Sequence, residues 1–124
     1  MKKTTRQLEA INLVGMEFCD QGRSLQFEII DSIPPHTLQL VTFKNVVCVK
    51  LFQAGGDEYP LIIVDLNWRE VPEQEKESVL IANEFPILDA SGRPRILKTP
   101  LVAAHIEGDL VGDVLAEEVN ISTP

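Results

Sequence analysis

Apolar and polar residues alternate in the first half of the chain in the pattern of β-strands. Leu25, Phe27 and Ile29 are separated by single polar residues, and this period of two is that of a strand with one buried face. The segments 37–43 and 46–52 are rich in β-branched and apolar residues, and only two residues lie between them. We predict strands in both segments, joined by a tight hairpin or by a bulged bend.

The segment 61–66 is apolar on both of its alternating faces, which is typical of a central strand that is covered on both sides. The segment 73–82 is the predicted cover. Pro72 suits the first position of a helix, and the acidic residues that follow it suit the N-terminal end of one. The opening segment 5–14 fits a helix or a strand equally well.

The last third of the chain carries two conflicting signals. The segment 101–106 has the composition of a strand. Residues 110–121 place apolar side chains at helical spacing, which slightly favours a helix, whereas Gly112 and the β-branched residues favour a strand. Both alternatives give the same fold class, α+β, with an antiparallel sheet of about five to seven strands and one to three covering helices.

Length and charge narrow the picture further. The chain has 124 residues and a net charge of −8, and its size predicts a single domain over 1–124, with flexible ends at 1–6 and 122–124. The charge is +1 over residues 1–50 and −9 over residues 51–124. Because a negative field repels phosphate backbones and anionic lipid surfaces, we predict no nucleic-acid partner and no membrane partner.

The expected location is the cytoplasm. No apolar stretch is long enough to span a membrane, and the first residues lack the apolar core of an export signal. Cys19 and Cys48 are the only cysteines, too few for a disulfide framework or a zinc site, so both are predicted to be free thiols in a reducing compartment. We therefore expect a soluble protein.

The sequence contains no phosphate-binding glycine loop, nucleophile elbow or zinc-protease motif, and no motif identifies a family. His105 and Glu107 are the candidate catalytic residues, and Asp109 extends them to a candidate metal-ligand set, because side chains at i, i+2 and i+4 of a strand share one face. Gly108 is expected to interrupt that strand. The favoured interpretation is a solvated turn with a half-exposed histidine, so we predict no catalytic site, no bound metal and no cofactor.

Five residues are predicted to contribute to binding. Trp68 follows the apolar strand and would anchor an interface, although a lone tryptophan at a strand end also suits a core. Arg93 and Arg95 form a basic pair on one face, suited to an anionic group or to a charged edge strand. Asp113 and Glu117 belong to an acidic segment that would attract a basic partner.

Two functions from different classes follow from these features. The favoured one is a non-enzymatic protein that acts through contact with another protein, whose surface is basic, or through self-association as a homo-oligomer. It rests on the missing reaction motifs and on the uneven charge. The alternative is a small enzyme or a metal-dependent ligand-binding protein that uses His105, Glu107 and Asp109.

Overall fold

The computed structural model of the protein describes residues 6–55, 58–83, 91–92 and 100–124. Within these residues lie six strands: β1 (Arg6–Cys19), β2 (Ser24–Asp31), β3 (Leu38–Gln53), β4 (Leu61–Glu70), β5 (Val102–Gly108) and β6 (Leu110–Ser122). One turn of 3-10 helix, Glu73–Glu75, leads into the helix α1 (Lys76–Ala82). The helix predicted over 73–82 is confirmed.

The six strands form one antiparallel sheet that closes on itself. Their order is β1-β2-β3-β6-β5-β4, and β4 pairs with β1 to complete a barrel. The six antiparallel strands and one helix of the described residues agree with the predicted sheet of about five to seven strands with one to three helices, whereas the closure of the sheet was not predicted. The single domain and the flexible ends stay predictions, although residues 6 and 122 belong to β1 and β6.

The interior of the barrel is filled by the inward face of every strand. Phe27 of β2 meets Phe43 of β3 edge to face, with ring centroids 5.6 Å apart, and Phe43 meets Trp68 of β4 in the same way at 6.4 Å. Trp68 is only 4% exposed. Trp68 therefore belongs to the core, the alternative that its place at a strand end also allowed, and does not anchor a binding surface, because its position on β4 directs the indole inward.

A second apolar cluster lies outside the barrel wall, under α1. Leu80 of the helix packs there with Val71, Leu101 and Leu115, and Cys48 contributes to its edge. Leu115 is on β6 between Val114 and Ala116, which both face the barrel interior. The wall is therefore apolar on both faces at this point, since one face lines the core and the other is covered by the helix.

Residues 110–121 form a strand, β6, and not the slightly favoured helix. The double burial explains why their sequence pattern resembled that of a helix. Apolar residues on both faces of a strand break the period of two, and the remaining spacing imitates that of a helix. The ambiguous opening segment is also a strand, β1. Apart from Thr37, the segments 37–43 and 46–52 belong to the single strand β3, whose register shifts at Val46/Cys48, so the bulged bend is confirmed and the hairpin is wrong.

Two glycines allow strands of the barrel to approach closely. Gly112 of β6 has a φ of 152°, and a β-carbon there would collide with the carbonyl oxygen of Lys50 on β3. Gly108, at the end of β5, has a φ of 143°, and a β-carbon there would meet the carbonyl oxygen of Ile62. Because both positions need positive φ and an empty β-position, only glycine fits them.

Candidate functional site

The outer face of β3, β6, β5 and β4 carries a line of polar residues, which we call the polar row. His105 of β5 lies between Asn67 of β4 and Asp113 of β6, and Lys50 of β3 is the cross-strand neighbour of Asp113. Cross-strand neighbours share one face of a sheet and stand about 5 Å apart. The row is therefore a product of strand order, since its members come from four separate parts of the sequence.

His105 is held by two carboxylates at once. Its Nδ1 lies 2.9 Å from Oδ1 of Asp113, and its Nε2 lies 2.9 Å from Oε1 of Glu107. Glu107 is two residues along the same strand, whereas Asp113 reaches the ring from β6. The predicted sharing of one face by His105 and Glu107 is confirmed, and Asp113 is the second partner of the ring.

The two carboxylates favour the protonated imidazole. The hydrogen bond to Asp113 raises the pKa of His105 most, partial burial opposes it, and the hydrogen bond to Glu107 raises it further, so the pKa lies above its ordinary value of 6.5. An imidazolium donates from both ring nitrogens, whereas neutral imidazole donates from only one. Below its pKa, His105 therefore satisfies both carboxylates.

This geometry does not suit metal binding. Asp113 and Glu107 contact opposite nitrogens of the ring, so the three groups do not converge on one point. No group of three or more histidine, cysteine, aspartate or glutamate side chains suited to a metal ion occurs among the residues that the structure describes. A general base needs a ring nitrogen directed at substrate, and here Glu107 occupies Nε2.

Asp109 is separate from this arrangement and organises the tip of the β5–β6 hairpin. Its backbone nitrogen donates to the carbonyl of Ile62 and its carboxylate accepts from the nitrogen of Ile62, at 2.8 and 2.9 Å. Its carbonyl accepts from the nitrogens of Ala54 and Gly55. Within the described residues no hydrogen bond joins Asp109 to His105. The interruption expected at Gly108 is confirmed, because β5 ends there and Asp109 binds Ile62 instead of extending the face of His105 and Glu107.

Three large apolar side chains flank this hairpin on the outer face, and we call them the outer patch. Phe52, near the end of β3, is 63% exposed, and Ile62 and Val64 of β4 are 61% and 62% exposed. Phe52 pairs with Val111 of β6, on one side of the hairpin. Ile62 and Val64 lie on its other side.

The outer patch contradicts one expectation from the sequence and was not identified there. The segment 61–66 was predicted to be covered on both faces. Leu61, Ile63 and Leu66 do face the core, but Ile62 and Val64 do not receive the second cover that α1 supplies further along the wall. The signal was present as an apolar strand without polar alternation, yet only the position of α1 distinguishes a covered face from an exposed one.

The acidic residues predicted to bind a basic partner have partners within the barrel wall. Asp113 bonds to His105, and Glu117 accepts a hydrogen bond of 3.0 Å from the side-chain nitrogen of Asn45. Lys44 forms a long ion pair, 4.0 Å, with the adjacent Glu118. The basic first part of the sequence thus faces the acidic last part. Binding by Asp113 and Glu117 stays a prediction, and Arg93 and Arg95 lie outside the described residues.

Cys48 is not arranged as a nucleophile. It contacts the cluster under α1, and burial raises the pKa of its thiol most, while Lys50 lowers it and Asp113 raises it. A raised pKa leaves the thiol protonated and unreactive at neutral pH. Both Cys48 and Cys19 are free cysteines.

An open cleft lies apart from the polar row. It has a volume of about 550 Å³, and its walls include three carboxylates from Glu70, Glu117 and Glu118 together with Pro100 and Val102. His105 is not among the residues that line it.

None of the helices in the described part of the chain has the length and apolar character that a membrane-spanning helix needs.

Comparison with known proteins relates this chain to another through its fold. No protein-family model matches it, and no curated protein does. The crystal structure of an uncharacterized protein from Neisseria gonorrhoeae is similar, with a TM-score of 0.62 and 13% sequence identity. The likeness covers 98% of this chain and 99% of that chain, so the two proteins share the whole fold.

Proposed function

We propose that this protein is non-enzymatic and acts by contact with another protein, through a surface that includes the outer patch. The observation that carries the proposal is the exposure of Ile62 and Val64. They stand next to each other on the outside of β4, a strand whose inward face lies in the core. Adjacent exposed aliphatic side chains of this size are typical of surfaces that a partner covers.

The surroundings of the outer patch support this proposal. Phe52 pairs with Val111 of β6 and Ile62 pairs with Asn12 of β1, so their backbone is already ordered and binding costs little conformational entropy. The polar row runs beside the patch, with Glu107 between Phe52 and Val64. An apolar centre with a charged and polar margin is the usual composition of a protein–protein interface.

The enzymatic or metal-dependent alternative has less support. It requires His105, Glu107 and Asp109 to act on one ligand, but Asp109 is bound to Ile62 and the ring of His105 is bound through both nitrogens. Self-association remains a form of the favoured function, because a second copy is also a protein partner.

Replacement of Ile62 and Val64 by threonine tests the proposal. Threonine keeps the branched β-carbon that suits a strand and removes apolar surface. We expect at least about a tenfold loss of the bound partner, measured by quantitative mass spectrometry after cross-linking and purification. Sedimentation velocity of the purified protein over a range of concentrations shows whether that partner is a second copy.

The matched control is Ile33→Thr. Ile33 is more exposed than any residue of the outer patch, at 73%, and lies in the connection between β2 and β3. The Ile33→Thr variant should leave the recovery of the partner and the sedimentation of the protein unchanged. Equal recovery with the wild-type chain, the patch variant and the control would place the contact surface elsewhere.

A further inference from the structure

Glu107 is the charged group at the centre of the outer patch. It follows Ile106, which pairs with Gly112, so it lies beside Val111 on β6, and its neighbour on β4 is Asp65. Phe52 lies beyond Val111 on one side, and Val64 lies beside Asp65 on the other. With strands about 4.8 Å apart, Phe52 and Val64 are about 14 Å from each other. A partner that covers both must also cover Glu107.

The two carboxylates that hold His105 are not equivalent. The side chain of Glu107 is 60% exposed and that of Asp113 is 45% exposed. Asp113 bonds to Nδ1 from the neighbouring strand and has Lys50 of β3 as its cross-strand neighbour. When His105 loses its proton it can still donate from Nδ1 to Asp113. Its Nε2 then presents a lone pair to Glu107, and that hydrogen bond is lost.

The groups that face His105 come from every strand around it. Glu107 lies on β5 itself, Asp113 on β6, Asn67 and Asp65 on β4, and Lys50 on β3 beyond Asp113. Asn67 donates to Asp65 at 2.8 Å. Glu107 thus has two other carboxylates, Asp65 and Asp113, in its surroundings, with His105 in contact with it and Lys50 on the far side of Asp113, so a further cation is the complementary group.

We propose that Glu107 is the ionic docking point for a lysine or arginine of the partner protein, and that this side chain replaces His105 as its counter-ion. The inference rests on the proposed function of the outer patch. It specifies a partner segment with one basic residue between apolar side chains, which contact Phe52 on one side and Ile62 and Val64 on the other. Binding strengthens as the pH rises, because neutral His105 no longer competes for Glu107.

Two short capped peptides serve as probes, one with a single lysine between pairs of leucines and one with glutamine in its place. Their binding is measured by NMR amide shifts at about pH 5.5 and about pH 8.5, on either side of a raised histidine pKa. We expect the lysine peptide to shift the amides of the outer patch and to bind roughly two- to fivefold more tightly at the higher pH. The affinity of the glutamine peptide should not change with pH.

Two variants of the protein separate the role of Glu107 from that of His105. In Glu107→Gln the lysine peptide should bind no better than the glutamine peptide at either pH. In His105→Asn the lysine peptide should bind more tightly than the glutamine peptide at both pH values, because the cation that competes for Glu107 is gone. Amide dispersion confirms that each variant is folded.

Lysine binding that does not depend on pH, or that survives Glu107→Gln, overturns the inference. Equal binding of both peptides to the outer patch also overturns it and leaves the proposed function standing. A lack of binding by both peptides overturns it too, whereas the proposed function is decided by the threonine variants at Ile62 and Val64.

Discussion

His105 shows how much the environment changes the role of a single residue. In the sequence it is one of two histidines, close to acidic residues on one side. In the barrel it has a carboxylate at each ring nitrogen, one from its own strand and one from β6. The same imidazole that would bind a metal or act as a base when free here links β5 to β6 through its contact with Asp113.

This link predicts a dependence of stability on pH. The pKa of folded His105 lies above the ordinary value of 6.5, chiefly because of its bond to Asp113. The stabilisation that protonated His105 provides is therefore complete below the pKa that this residue has in the unfolded chain. It is lost as the pH rises through the pKa of His105 in the folded protein. Because the ring is partly exposed, we expect a loss within about 1 kcal/mol, measured as the free energy of unfolding in urea from mildly acidic to mildly basic pH.

Replacement of each histidine in turn assigns this effect. His105→Asn should remove the decline, whereas His36→Asn, in the connection between β2 and β3, should retain it. A decline of the same size in both variants would mean that another group titrates in this range.

At the scale of elements, α1 determines which part of the outer wall is buried. Its seven residues bring Leu80 onto the apolar outer face of the barrel, where Leu115 and Cys48 lie. The helix is too short to be stable alone. Its contacts with the wall therefore keep it folded, and the wall in turn loses its exposed apolar surface there.

Truncation of Leu80 tests this mutual dependence. Leu80→Ala should lower the free energy of unfolding by about 2–4 kcal/mol, because Leu80 is buried and its removal leaves a cavity. Cys48 should then react faster with a thiol reagent under native conditions, since α1 no longer protects it. Ile81→Ala is the control, because Ile81 is on the same helix but exposed. It should change both measurements little, and an equal effect would show that α1 is not held through Leu80.

For the whole molecule, the uneven charge along the sequence becomes a set of contacts across the barrel. β3 brings Lys44 and Lys50, from the basic first part, next to β6 with its acidic residues. The predicted acidic surface is consequently partly neutralised within the fold. Asp113 and Glu117 contribute to the wall through His105 and Asn45, and any contact with a partner is additional to that role.

Charge reversal distinguishes local contacts from net charge. Asp113→Lys with Glu117→Lys removes both hydrogen bonds and places a lysine opposite Lys50, so we expect a loss of about 1–3 kcal/mol in urea. Glu9→Lys with Glu17→Lys changes the net charge equally on the exposed part of β1 and should stay within about 0.5 kcal/mol. Equal losses in the two double variants would mean that net charge alone controls stability.

The candidate site was only partly predictable. The pairing of His105 with Glu107 follows from a spacing of two on a strand, which is local information. The contact with Asp113 depends on the register of the β5–β6 hairpin, and the separation of Asp109 depends on Gly108 and on the arrival of β4 at the hairpin tip. For Trp68 the sequence left both an interface anchor and a core position open, because it shows that Trp68 follows an apolar run but not into which side of the wall it points.

By itself, the sequence determined the strands with clean alternation, the helix after Pro72, and an antiparallel sheet, because these depend on short-range periodicity and backbone preference. Tertiary structure alone decided that the sheet closes, that β6 is a strand, and that Ile62 and Val64 are exposed while Leu115 is covered. The physical reason is that burial belongs to a face and not to a residue. An apolar side chain is core or surface according to what packs against its strand, and that partner comes from a distant part of the chain.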